Sequence, residues 1–69
     1  MDDQKLIRAA NQIADFFAVY TASEAEAGIA EHIQKFWEPR MRRQFAALVE
    51  GGAPGIAPAV AAAWPRVRL

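Results

Sequence analysis

The chain has 69 residues, 54% of them hydrophobic, with eight Lys and Arg balanced by eight Asp and Glu, and no cysteine. That length admits one domain with a modest core, and the missing thiols exclude disulfides, iron–sulfur ligation, thiolate-bound structural zinc and a cysteine nucleophile. The zero net charge argues against a dedicated nucleic-acid binder, no run approaches the roughly 18 apolar residues of a membrane span, and the acidic Met1-Asp2-Asp3 start is unlike a secretory signal, so a cytoplasmic location is expected.

Asp2 or Asp3 is placed to cap a first helix and to set negative charge at its positive end. Leu6, Ala10, Ile13, Phe17 and Tyr20 then recur at spacings of four, three, four and three, which puts them on one face of a helix over about 3–20. Ile7, Ala9, Ala14 and Phe16 flank that stripe, so the apolar face is wider than one core contact requires.

Thr21-x-x-Glu24 and Ser23-x-x-Glu26 are overlapping capping boxes that restart a helix over about 22–37. Its stripe runs Ala22 or Ala25, Ile29, Ile33 and Phe36. Gly28 within it is either a point of close approach by a neighbouring backbone or a tolerated exposed glycine.

Pro39 disfavours helix at Glu38 and suits the first turn of a third helix, about 39–50, with Met41, Phe45, Leu48 and Val49 inward. Gly51-Gly52 stops it, Pro58 opens a short alanine-rich helix over about 58–63, and Pro65 ends that, leaving 64–69 as a flexible or partner-ordered tail. No alternating strand pattern or internal repeat is present. The expected fold is all-α: one domain over 1–69, a three-helix bundle or bent helical hairpin with a short fourth helix.

The unusual stretch is His32 to Arg43, in which Phe36 and Trp37 stand side by side before a proline and an arginine cluster. Neighbours on a helix point about 100° apart, so one of the two rings leaves the core stripe. Trp37 and Trp64 are the aromatics expected outside the core, tryptophan and arginine being enriched among residues that anchor interfaces. The expected partner interface is His32, Phe36, Trp37, Pro39, Arg40, Met41 and Arg42.

A catalytic constellation is hard to assemble. His32 is the only histidine, and no zinc-protease, EF-hand, P-loop or dinucleotide-binding motif occurs, so no catalytic, cofactor-binding or metal-binding residue is assigned. Arg40, Arg42 and Arg43 could serve a helical DNA-binding module, yet relative to Met41 on a helix Arg40 and Arg42 project about 100° to either side while Arg43 points to the back, so the three do not form one patch on one groove. Arg40 and Arg42 flank the apolar stripe, where arginines bridge to carboxylates at an interface rim or stay solvated. A self-associating bundle is a further alternative, since the apolar surplus needs cover.

Two stretches resemble a known family. Leu6-Ile7-Arg8, Ala10-Asn11-Gln12-Ile13 and Phe16-Phe17 are similar to the opening of the delta subunit of NAD-dependent, molybdenum-containing formate dehydrogenases. Gly28-Ile29-Ala30, His32-Ile33 and Phe36-Trp37-x-Pro39-Arg40-Met41-Arg42 resemble its central signature, and Gly55-Ile56-Ala57-Pro58 its last short helix, although Ala61-Ala62-Ala63-Trp64-Pro65 departs from the family pattern. The resemblance implies a non-catalytic accessory subunit of a cytoplasmic complex that oxidises formate to carbon dioxide with NAD. It implies that the large alpha subunit carries molybdenum cofactor and iron–sulfur clusters, that beta and gamma subunits carry FMN, the NAD site and further clusters, and that this chain holds no cofactor and supports assembly or stability by docking on alpha.

Overall fold

The computed structural model describes residues 2–69, and within them the chain is all-α: α1 (Asp3–Phe16), α2 (Ala22–Phe36), α3 (Pro39–Glu50) and α4 (Pro58–Ala63), the last running into a 3₁₀ turn at Trp64–Arg66. Local chemistry accounts for the boundaries. Asp2 Oδ1 accepts hydrogen bonds from the Gln4 and Lys5 amides at 2.8 and 3.3 Å, capping α1. The Thr21–Glu24 capping box closes in both directions at the start of α2, with Glu24 N–H on Thr21 Oγ1 and Thr21 N–H on Glu24 Oε1, each at 3.2 Å. Pro39 opens α3, and Gly52 beyond its end takes φ +68°, a conformation that suits a residue without Cβ.

Each helix contributes a fully buried side chain to one core: Leu6 from α1, Ile29 and Ile33 from α2, Phe45 from α3 and Val60 from α4. Burying each of these contributes about 1.5–3 kcal/mol. Trp37, Phe45 and Trp64 run through this core as a chain of rings, with centroids 5.6 Å apart for the first pair and 4.9 Å for the second.

The first helix is shorter than its periodicity predicts. The Phe17 amide reaches both Ile13 O and Ala14 O, and the Ala18 and Tyr20 amides bond three residues back to Asp15 O and Phe17 O, so 17–20 is a tight turn. The cause is tertiary: Phe17 packs its ring over Gly28 of α2, where an added Cβ would lie 2.4 Å from Phe17 Cε1. The close approach allowed for at Gly28 is therefore made by an aromatic ring rather than by a backbone.

Two side-chain amides hold the irregular segments. Asn11 donates from Nδ2 to Gly55 O at 2.7 Å and accepts at Oδ1 from the Ala57 amide at 2.9 Å, fastening the loop before α4 to α1. Gln34 does the same for the C-terminal segment, accepting from Arg68 N–H at 2.6 Å and donating to Arg68 O at 3.1 Å, while Val67 is buried. The segment expected to be a flexible or partner-ordered tail is thus bound to Gln34 of α2 within the chain.

Candidate functional site

Sequence reasoning centred the site on the elbow between α2 and α3, and the structure divides its seven residues into two groups. Trp37, expected to face outward, is only 7% exposed, whereas Phe36 is 71% exposed. Trp37 is the C-cap of α2, with extended backbone (φ −87°, ψ 136°), so it has left the helical wheel and swings back over Phe45. Trp64, also expected outward, is half-buried with its ring against Phe45.

Arg42 is likewise committed within the chain. Its Nη1 donates to Trp37 O at 2.6 Å and Gln34 O at 3.4 Å, so the guanidinium caps carbonyls at the end of α2. A cation there also meets the negative end of the α2 dipole. The expected rim role for Arg42 gives way to this one, and its Nε is buried without a hydrogen-bond partner. Met41 is half-buried and packs against the core. The elbow residues left facing solvent are His32, Phe36, Pro39 and Arg40.

Those residues continue a larger apolar surface. His32 and Phe36 stack with ring centroids 4.7 Å apart. Gly28, His32 and Phe36 follow at intervals of four, so they form one row about 12 Å long on the flank of α2. Phe17 covers the Gly28 end of that row and carries Phe16 at 5.1 Å and Tyr20 at 5.7 Å. Phe16, Val19 and Tyr20 are 72, 88 and 50% exposed. Sequence reasoning missed this corner because it placed Phe16 to Tyr20 in a continuous helix. The Thr21 capping box, which needs a non-helical residue at its head, was the available signal.

Charge is segregated along the sequence. Between residues 9 and 34 there is no Lys or Arg, and Asp15 and Glu24 stand exposed near the α1–α2 corner. Residues 35–43 carry Lys35, Arg40, Arg42 and Arg43 against Glu38 alone. Lys35 is paired with Glu31 at 3.1 Å, and Arg66 with Glu26 at 3.7 Å, whereas Arg40 and Arg43 form no ion pair among the described residues. With Arg42 engaged on α2 carbonyls, only two guanidiniums of the arginine cluster face solvent.

Among the described residues no group of three His, Cys, Asp or Glu could hold a metal ion, and no helix is long and apolar enough to cross a membrane. Two shallow open depressions lie elsewhere: one between α1 and the loop at Pro54-Gly55, the other between α2 and the C-terminal segment. What the geometry offers is a surface of aromatic rings with a basic end.

Residues 5–64 match the model of a protein family described as NADH-dependent formate dehydrogenase delta subunit FdsD. No curated protein and no solved structure matches the chain.

Proposed function

The chain belongs to the delta-subunit family of NADH-dependent formate dehydrogenases, and from that premise we propose that it is a non-catalytic accessory subunit that docks on the large molybdenum-containing alpha subunit and supports assembly or stability of the complex in the cytoplasm. In this reading the molybdenum cofactor, iron–sulfur clusters, FMN and NAD site belong to the alpha, beta and gamma subunits, and this chain supplies only a surface.

One observation carries the proposal: Phe36 stands 71% exposed next to a buried Trp37. An aromatic ring left in water beside one that is folded away is unfavourable in an isolated domain and favourable where a partner covers it. His32 supports the Phe36 ring, and Pro39 and Arg40 extend the surface across the elbow. Arg40, free of any intramolecular ion pair among the described residues, is suited to a bidentate bridge with a partner carboxylate.

The other signature residues have a different task. Asn11, Gly28, Trp37 and Arg42 clasp the loop, seat Phe17, fill the core and cap α2, and so hold the docking residues in place.

The test is co-purification of the complex through a tag on this chain, with subunit mass and molybdenum content measured together. The double variant Phe36→Ser/Arg40→Ala is expected to fold but to lose the large subunit from the eluate. Full recovery of an active, molybdenum-loaded complex with that variant would overturn the site assignment.

A further inference from the structure

The C-terminal segment is fastened to the fold differently from the helices. Pro65 has no amide with which to continue the α4 ladder, and by Val67 the backbone is extended, with φ −85° and ψ 131°. Arg66 pairs with Glu26 at 3.7 Å, Val67 is only 9% exposed, and Gln34 accepts from Arg68 N–H at 2.6 Å while donating to Arg68 O at 3.1 Å. Leu69, by contrast, is exposed.

Gln34 therefore reads main chain rather than a side chain. A primary amide that offers its oxygen to the N–H and its NH2 to the carbonyl of one residue holds extended backbone as a neighbouring strand would. Ala27, Ala30 and Gln34 follow at intervals of three and four, so they form one row on α2, and they line the shallow depression beside the segment. The alanines leave room for a backbone to lie close. Each helical residue turns about 100°, which puts this row on the opposite flank of α2 from Gly28, His32 and Phe36.

The hold on the segment is slight. Both Gln34 hydrogen bonds and the Arg66 pair are open to solvent, where such contacts contribute little net. One buried aliphatic side chain is then set against the entropy of ordering a chain end. Segments balanced in this way open locally while the rest stays folded.

We propose that the Gln34 flank of α2 is a recognition groove for an extended peptide segment, occupied in the free chain by its own residues 66–69 and opened when a partner's segment replaces them. The tail shows what the groove takes: a basic residue for Glu26, a branched aliphatic side chain at the Val67 position, then a residue read through its main chain alone. A tethered tail acts at an effective concentration on the order of mM, so a free peptide competes poorly with it. A segment of a protein already docked elsewhere on the chain is presented at a similar concentration and exchanges with the tail on equal terms. The inference rests on these contacts alone and stands whatever binds at Phe36.

The experiment follows the full chain by NMR, with a synthetic peptide of residues 63–69 as the probe. Val67→Asp puts a charge where the tail is buried. It is expected to keep wild-type helical circular dichroism and to speed amide exchange at Arg68 by about tenfold or more. The peptide, at up to about 5 mM, should then shift the Gln34 side-chain amide and Ala30 methyl signals of that variant. It should bind the wild-type chain roughly tenfold more weakly, because the chain's own tail competes. Adding Gln34→Ala to Val67→Asp should abolish the response, and a peptide carrying Val67→Asp should produce none. Loss of the helices in Val67→Asp would make the tail part of one cooperative unit and overturn the proposal. So would a folded Val67→Asp chain that ignores the peptide, or one that binds it equally well without Gln34.

Discussion

The guanidinium of Arg42 sits on the carbonyl oxygen of Trp37 at 2.6 Å, so the third helix closes the end of the second across a bend of two extended residues. This contact braces the elbow immediately after Phe36, the last residue of α2. Replacing Arg42 with alanine leaves helix-end carbonyls without their donor, a loss of about 1–3 kcal/mol. Lysine, with a compact charge and no planar fork, should recover only part of it. Urea denaturation followed by circular dichroism is the check: the midpoint should fall for alanine, less for lysine, with little change in slope. An unchanged midpoint for both would mean that the cap contributes nothing.

Gly28 presents two effects of opposite sign. Alanine is the better helix former by about 1 kcal/mol, yet its Cβ would lie 2.4 Å from Phe17 Cε1. Overpacking of this kind typically costs about 1–3 kcal/mol, so Gly28→Ala should destabilise the wild-type chain. In a Phe17→Ala background the obstruction is gone and the same substitution should become stabilising. Thermal melts of the four chains measure that reversal, and a stabilising Gly28→Ala in the wild-type background would show that the ring is not seated on the glycine.

Asn11 ties together segments more than forty positions apart by presenting a donor to Gly55 O and an acceptor to the Ala57 amide. Asn11→Asp keeps the acceptor but turns an oxygen toward the Gly55 carbonyl, so it should destabilise by about 1–3 kcal/mol despite its small size change. Amide hydrogen exchange should accelerate at Ala57 in this variant. Protection equal to wild type at that amide would remove Asn11 from the account of how α4 is held.

Phe36 and Trp37 should give contrasting results although they are adjacent. Trp37→Ala removes a buried ring that packs on Phe45, which costs about 3–5 kcal/mol. Phe36→Ser removes an exposed ring and should leave the isolated chain within about 0.5 kcal/mol of wild type. Its effect belongs to association, read as loss of co-purifying subunit. Equal melting temperatures for the two variants would contradict the assignment of one to the core and the other to the surface.

Much of the fold was legible in the sequence because its signals are local. Asp2, the Thr21–Glu24 box, Pro39 and Gly52 act on backbone groups within a few residues, and each does so in the structure. The buried faces followed from helical periodicity at Leu6, Ala10, Ile29, Ile33 and Phe45, since a helix repeats its facing side whatever it packs against. The family signature was also readable, and it extends through residues 5–64.

Tertiary structure decided what local rules leave open. Whether Phe36 or Trp37 faces inward depends on extended backbone at the elbow, where the helical wheel no longer applies and the Phe45 ring is the available partner. The length of α1 was set by Phe17 reaching Gly28, and the course of the C-terminal segment by Gln34 holding both backbone groups of Arg68. Arg42 looked like its neighbour Arg40 until α2 and α3 were brought to a common corner. Each of these outcomes rests on contacts outside the chain's immediate neighbourhood. Composition and periodicity record which groups are available to bury or to bond, and the meeting of distant segments selects which of them do.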